Sequence, residues 1–307
     1  MTDKLNFNEL KEAGRLPSPK GVALKVMRLC QMEEVNLTEL AYTISCDPAL
    51  SGYIIKLANA ANPNKHRPIA SVTSDTLIIA GINAIRQAVI ALSLVSNYQK
   101  GKCTTFDYLH FWLESVAMAC IAQRIGATIR IAPLSELFTC GLLTEIGQLG
   151  LATARPEEYA ELLKRHHNEP LEILIETENQ QFGMGRRAFS AAMMYDWGMP
   201  QLFIDVAAVY DSPGVGGFTP GSRQYNFAQA LHLAARLASI FVAINPDRKL
   251  LLPKLFEIGS LLKLSPEQVI TIANQASQDW MEWSKMLHVI PHRIPAFEIP
   301  DNLTPSS

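Results

Sequence analysis

The chain has 307 residues, of which 48% are hydrophobic and 18% are charged, and its formal net charge is −2. This composition is typical of a folded globular protein, and it excludes a disordered chain or a polyelectrolyte. Lysine and arginine are scattered without a basic block, so the sequence predicts no nucleic-acid partner. The length alone suggests roughly two domains of about 150 residues each.

The cysteines and the apolar stretches indicate the compartment. The five cysteines are odd in number and have no CxxC spacing, which favours free thiols in a reducing cytosol. The N-terminus has no apolar core of signal-peptide length, so a cytoplasmic location is expected. The most hydrophobic stretch, residues 77–95, contains Gly81 and Arg86. An arginine near the centre of a membrane span costs about 2.5–3.5 kcal/mol, so we predict two helices broken at Gly81 and no membrane insertion.

The first hundred residues carry repeated signals for the start of a helix. Asn36 with Glu39 three residues later forms a capping-box pattern. Asp47 followed by Pro48 combines an N-cap with a proline at the first helical position. No run in the chain shows sustained alternation with a period of two, so the sequence predicts an all-α protein.

Helices are also predicted for most of the chain after residue 100. In chain order they span about 106–126, 134–152, 156–167, 170–181, 186–197, 200–210, 226–244 and 253–262, with a last helix opened by Ser265-Pro266. Residues 212–223 contain four glycines and two prolines, which predicts a loop. The tail after Leu287 holds four prolines and is expected to be extended or disordered.

Several segments together resemble the HDOD domain, the HD-related output domain of bacterial signalling proteins. They are residues 16–19, 44–50, 55–61, 68–71, 80–86, 112–115, 141–150 and 197–200, with a weaker similarity at 231–235. The motif residues within them are Asp47, Pro48, Leu50, Asn59, Gly81, Trp112, Gly141 and Trp197.

The resemblance implies a multi-helix HD-like bundle that is preceded by an N-terminal helical subdomain. The expected parts are an N-terminal helical part at 1–100, the bundle at 101–213, C-terminal helices packing on the bundle at 214–290 and an extended tail at 291–307. The HDOD domain as a whole would cover about residues 16–213. Because the HDOD-like sequence begins by residue 16, a stand-alone module is expected.

In a catalytic HD domain, imidazole and carboxylate groups from several helices hold a divalent metal. The resemblance implies that these ligands would fall at Glu114, Thr144-Glu145, near Arg186, Tyr210-Asp211 and Ala235. Every one of these positions differs from the ligand of the family, and without imidazoles the affinity for a transition metal falls. The resemblance therefore predicts no catalytic residue, no metal ligand and no cofactor, and the helix frame around residues 141–150 is interpreted as retained packing.

Two alternatives stay open. Glu114, Glu145 and Asp211 could form an oxygen-rich site for a hard cation in a degenerate HD-type phosphohydrolase. The vestigial pocket could also bind a nucleotide as a sensor without hydrolysing it. Separately, Arg186 and Arg187 follow a glycine-containing turn and are candidates to contact an anion or an acidic partner.

The sequence favours a regulatory module of bacterial signal transduction that does no chemistry. The expected mode of action is protein–protein interaction with other signalling proteins in the cytoplasm, because the helical scaffold is well specified while the metal site is dismantled. The sequence identifies neither the partner and the input signal nor the oligomeric state.

Overall fold

The structure is a computed structural model that describes residues 4–30, 32, 34–64, 66–244 and 246–298. These residues form α-helices and one short 3-10 helix, and no strand occurs among them, so the predicted all-α class is confirmed. In chain order the helices are α1 (Phe7–Glu12), α2 (Gly21–Cys30), α3 (Leu37–Ser45), α4 (Pro48–Ala61), α5 (Ser74–Ala80), α6 (Ile82–Asn97), α7 (Tyr108–Ile129), α8 (Leu134–Leu143), α9 (Ile146–Ala154), α10 (Pro156–Arg165), α11 (Leu171–Phe182), α12 (Arg186–Asp196), α13 (Gln201–Ala207), α14 (Arg223–Val242), α15 (Arg248–Leu261) and α16 (Pro266–Met286).

The described residues separate into two compact units. The smaller unit contains the described residues of the range Pro17–Gln99 and, in addition, Met286–His288. It therefore holds α2 to α6. The larger unit contains the other described residues, with α1, α7 to α15 and α16 as far as Lys285. The family-based boundaries near residues 100, 213 and 290 stay predictions.

In the smaller unit, the predicted capping residues begin their helices. The side chain of Asn36 accepts a hydrogen bond from the Glu39 amide at 3.0 Å, at the start of α3. Asp47 Oδ1 accepts bonds from the amides of Ala49 and Leu50 at 3.0 and 3.1 Å, and Pro48 is the first residue of α4. These caps satisfy amides that have no partner within the helix, so the local sequence alone fixes where α3 and α4 begin.

Two further motif residues shape the chain around α4 and α6. Asn59 Nδ2 donates to the Ile69 carbonyl at 2.7 Å, and Asn59 Oδ1 accepts from the Ile69 amide at 2.8 Å, which clamps the loop after α4. Gly81 has a φ of 84°, a conformation that favours glycine, and α5 and α6 meet there at an angle of 91°. The predicted break at Gly81 is therefore confirmed.

The core of the larger unit is built around α7, which packs against α8 and α14. Trp112 in α7 is fully buried, and Trp197 at the end of α12 is nearly so. The contact of α7 with α8 depends on Gly141, because a Cβ there would lie 2.9 Å from the Ala119 Cα. This is closer than a methyl group can approach, so the motif glycine is required by packing.

α9 packs against α12 through a second close approach. A Cβ on Gly147 would lie 1.9 Å from the backbone carbonyl oxygen of Arg186, and the Gly147 amide donates to Ser190 Oγ at 2.8 Å. The backbones of α9 and α12 are therefore in direct contact at Gly147, with no room for a side chain.

The single helix predicted for residues 134–152 is wrong, because the structure has two helices there. α8 ends at Leu143 and α9 begins at Ile146, and Glu145 between them has left the helical region, with φ −98° and ψ 13°. The break redirects the chain so that Gly147 can reach α12. Thr144 and Glu145 thus lie at a helix junction and not in the middle of a helix.

Two other boundaries differ from the prediction. The loop predicted at 212–223 contains a 3-10 helix at Pro213–Gly216. The helix predicted from residue 253 begins five residues earlier as α15, because Asp247 caps it by accepting from the Leu250 amide at 3.4 Å. Pro253, the first residue of the predicted range, lies inside the helix.

Two apolar segments have the length of a membrane span. Leu134–Ala154, which comprises α8 and α9, is 83% buried within the structure, as is typical of core helices. Ser74–Ala80 and Ile82–Asn97 reach that length only if they are counted as one span across their 91° bend.

The chain after α16 has no regular secondary structure as far as residue 298. Phe297 is nevertheless buried, and both its amide and its carbonyl are hydrogen-bonded to the side chain of Asn274. The rest of the tail, residues 299–307, for which an extended conformation is predicted, lies outside the described residues.

Candidate functional site

Glu114 lies on the second turn of α7, whose N-cap Asp107 accepts from the His110 amide at 2.9 Å. Glu114 Oε2 is 3.8 Å from His110 Nε2, one helical turn before it. The Glu114 side chain is 27% exposed, and the protein around it still desolvates the carboxyl group. The pKa of Glu114 is raised to about 8, mainly by burial and next by the negative charge of Glu145. The positive charge of Arg186 lowers that pKa, but by less.

Glu145 has hydrogen-bond donors on both carboxylate oxygens. The Tyr210 hydroxyl donates to Oε1 at 2.6 Å, and the Gln148 side-chain amide donates to Oε2. Burial and the charge of Glu145 raise the pKa of Tyr210 well above its usual value, so Tyr210 keeps its proton and acts as a donor. The Glu145 carboxylate is therefore engaged by its neighbours within the protein.

Two of the family's ligand positions carry no group that faces a site. Thr144 is buried, and its hydroxyl donates to the Cys140 carbonyl at 2.7 Å, one turn back in its own helix. Ala235 lies in α14 with an apolar side chain. Ala235 has no atom that could bind a metal, and the Thr144 hydroxyl is directed at a backbone carbonyl.

Arg186 forms a buried ion pair with Glu178 at the start of α12. Its Nε and Nη2 atoms donate to Glu178 Oε1 at 2.9 and 2.6 Å, and its backbone amide donates to Oε2 at 3.0 Å. The Tyr159 hydroxyl donates to the same Oε1 at 3.0 Å. Burial alone would lower the pKa of Arg186, but Tyr159 and Glu178 outweigh it and raise that pKa above its usual value.

This burial argues against Arg186 as a contact for an external anion or partner. The side chain of Arg186 is 6% exposed and that of Glu178 is 0% exposed, so the guanidinium is neutralised inside the protein. The predicted role of Arg186 as such a contact stays a prediction, and its pairing with Glu178 counts against it. Arg187 points differently: its Nη2 donates to Asp211 Oδ2, and 28% of its side chain is exposed.

Asp211 is held by Arg187 at the end of the chain segment that follows α13. Within the part of the chain that the structure describes, Asp211 Oδ1 and Arg187 Nε are buried without a hydrogen-bond partner. The preceding carbonyl, that of Tyr210, lies 3.0 Å from His232 Nδ1 on α14. Burial lowers the pKa of His232, so its imidazole is neutral at pH 7.

Over the described ranges, no group of three or more His, Cys, Asp or Glu side chains is arranged so that it could hold a metal ion. Glu114 and Glu145 are near enough to repel each other electrostatically, whereas Asp211 is paired with Arg187. The arrangement can hold a proton on Glu114, whose Oε2 also lies 3.8 Å from the His110 imidazole.

Sequence reasoning missed the residues that organise this region. Glu178 and Tyr159 neutralise Arg186, and Gln148 binds Glu145, yet none of the three falls at a position of the HD motif. A signal was present for Gln148 only, because it follows Glu145 at the spacing of one helical turn. Glu178 is eight residues from Arg186 across a turn, a spacing that carries no local signature.

Removing one partner of the buried pair is expected to destabilise the protein strongly. Arg186→Met leaves Glu178 charged and buried, and we expect a loss of about 3–5 kcal/mol in the free energy of unfolding, measured by urea denaturation. The double variant Arg186→Met/Glu178→Gln should be more stable than Arg186→Met alone, since the amide needs no counter-charge. Lys254→Met, in a pair that is 67% exposed on both sides, serves as the control and should change stability by less than about 0.5 kcal/mol.

The raised pKa of Glu114 predicts a dependence of stability on pH. The native state binds a proton at Glu114 that the unfolded chain releases, so this stabilisation is complete below the unfolded pKa of 4.5 and is lost as the pH rises through about 8. Glu114→Gln carries a neutral amide at every pH. Its free energy of unfolding relative to the unsubstituted protein should therefore increase between about pH 5 and about pH 9. A difference that is constant over this range would contradict the raised pKa.

The sequence and the structure of the chain are similar to those of known proteins. The model of the HDOD domain matches residues 16–213. An uncharacterized protein from Treponema pallidum (strain Nichols) is 21% identical over 207 residues, which are 66% of this chain. The chain spans only about two fifths of the length of that curated relative, since the match covers 39% of it.

Two solved structures are similar over most of the chain. The MmoQ Response regulator from Methylococcus capsulatus str. Bath is 33% identical, with a TM-score of 0.52, and the match covers 84% of this chain and 97% of that one. A protein from Shewanella amazonensis SB2B with a provisional phosphohydrolase name is 21% identical, with a TM-score of 0.63 and coverage of 91% and 97%, and shows the same fold. Because the domain model covers well over half of the residues and a third of the positions are shared with a relative of matching length, the chain belongs to the HDOD domain family.

Proposed function

We propose that this chain is a non-catalytic module of signal transduction that acts by binding other signalling proteins in the cytoplasm. The observation that carries the proposal is the buried Arg186–Glu178 pair. Where the HD motif would have a metal ligand, a guanidinium is bonded to a carboxylate inside the protein. A guanidinium has no lone pair to offer a metal ion, and the carboxylate beside it is already bonded to it.

The other members of the vestigial site support the same conclusion. Glu145 is bonded to Tyr210 and Gln148, and Asp211 is bonded to Arg187, so a metal would have to displace internal hydrogen bonds at both carboxylates. The regulatory part of the proposal is supported by the similarity to MmoQ, whose name describes a response regulator.

The first test is for metal and for turnover. We expect the purified protein to contain far less than one equivalent of any divalent metal and to show no hydrolysis of a phosphodiester substrate with added Mn²⁺, because no position of the HD motif carries a histidine. A catalytically intact HD phosphohydrolase assayed in parallel shows that the conditions allow turnover. Stoichiometric metal together with activity that is abolished by Glu145→Ala would establish the degenerate phosphohydrolase instead.

The second test is for a protein partner. Affinity capture of the tagged chain from its native cells, followed by mass spectrometry, should recover a specific protein that then binds the purified chain directly. An unrelated tagged protein of similar size controls for adhesion to the matrix. If no protein is recovered and a nucleotide raises the melting temperature instead, the vestigial pocket is a small-molecule sensor and the proposal fails.

A further inference from the structure

The C-terminal segment, residues 289–298, lies against the larger unit without forming a helix. Its main contact is Phe297, which is 3% exposed and whose ring centroid is 5.7 Å from that of Phe241 on α14. The ring of His292 meets Trp280 on α16 edge-on at 6.0 Å. In contrast, Ile290 is 82% exposed. Val289, just after α16, is also buried at 1% exposed, and Phe297 is the apolar anchor at the far end of the segment.

Asn274 on α16 binds the backbone of the segment at the same residue. Its Nδ2 donates to the Phe297 carbonyl at 3.0 Å, and its Oδ1 accepts from the Phe297 amide at 2.7 Å. One side-chain amide thus bonds to both backbone polar groups of Phe297, as a neighbouring strand would. Recognition of this kind takes its affinity from the peptide backbone and its specificity from a pocket for one side chain.

The residues that receive Phe297 are held in place by contacts that do not involve the segment. Trp280 is fully buried, and its Nε1 donates to the Leu113 carbonyl on α7 at 2.9 Å. Asp279, the neighbour of Trp280 on α16, accepts at Oδ1 from Arg124 Nη2, farther along α7, at 2.8 Å. Because α16 is fastened to α7 at both points, the receiving surface keeps its form when the segment leaves, which favours rebinding of a ligand.

We propose that Phe241, Asn274 and Trp280 form a peptide-binding site that the C-terminal segment fills as an internal ligand. When the segment leaves, the same site binds an extended peptide of a partner protein. That peptide presents an aromatic side chain, and the backbone amide and carbonyl beside it are free to bond to Asn274. The biological meaning of this site rests on the proposed function as a protein-binding module. The segment competes with the partner at the effective concentration set by its short connection to α16, and so acts as a built-in inhibitor.

The experiment uses the full chain with Phe297→Ala, which weakens the internal ligand and leaves the receiving residues unchanged. The probe is a fluorescent synthetic peptide with the sequence of residues 289–298. By fluorescence anisotropy, the variant should bind the probe at least about tenfold more tightly than the unsubstituted protein does, because the competing anchor is gone. A probe with alanine in place of its phenylalanine and the double variant Phe297→Ala/Asn274→Ala are the matched controls, and both should lose binding.

A second measurement uses the unsubstituted protein, so that the test does not depend on the folding of a variant. An excess of the unlabelled peptide should speed hydrogen exchange at the Phe297 amide, which is bonded to Asn274, and leave the amides of α7 unchanged.

Two outcomes overturn the proposal. One is a folded Phe297→Ala variant that does not bind the probe. If that variant does not fold, the corresponding outcome is hydrogen exchange at the Phe297 amide of the unsubstituted protein that the unlabelled peptide does not change. The other is a stable dimer of the unsubstituted protein or of the variant, detected by light scattering, together with no binding of the probe. In that case the site binds the C-terminal segment of a second copy of the chain. Neither outcome alters metal content or turnover, so this proposal and the proposed function fail separately.

Discussion

A buried guanidinium must be paired, and the placement of several helices follows from that requirement at Arg186. Glu178 on α11 supplies the charge, and Tyr159 on α10 supplies a further hydrogen bond, so α10, α11 and α12 have one arrangement in which all three groups are satisfied. The constraint extends to α9, because Gly147 packs directly on the carbonyl of Arg186. Glu145 at the start of α9 is thereby held beside Tyr210.

The same charge distribution explains the state of Glu114 and Glu145. Their carboxyl groups repel each other, and in a catalytic HD domain a bound metal would offset such a repulsion. In this chain, donors from Tyr210 and Gln148 satisfy Glu145, while Glu114 retains a proton to a higher pH than an exposed glutamate does. Hydrogen bonds and protonation therefore provide the compensation that a cation would otherwise give.

The parts of the fold that sequence reasoning predicted are those fixed by near neighbours along the chain. Asn36, Asp47 and Gly81 act within a few residues, as caps or as a break, and each lies where it was expected. The break at Glu145 could not be predicted, because its cause is the contact of Gly147 with α12 some forty residues later. The pairing of Arg186 with Glu178 is likewise set by tertiary packing. The resemblance identified the motif positions of the site, but it did not identify the other residues that form hydrogen bonds with the side chains there.

The Arg186–Glu178 pair also limits which single substitutions the chain tolerates. A histidine at position 186 would leave Glu178 buried without its counter-charge, and a neutral residue at position 178 would do the same to Arg186. Placing an imidazole at position 186 therefore requires both codons to change, and each single step passes through a destabilised protein. Natural selection for a folded chain is enough to keep the two residues together.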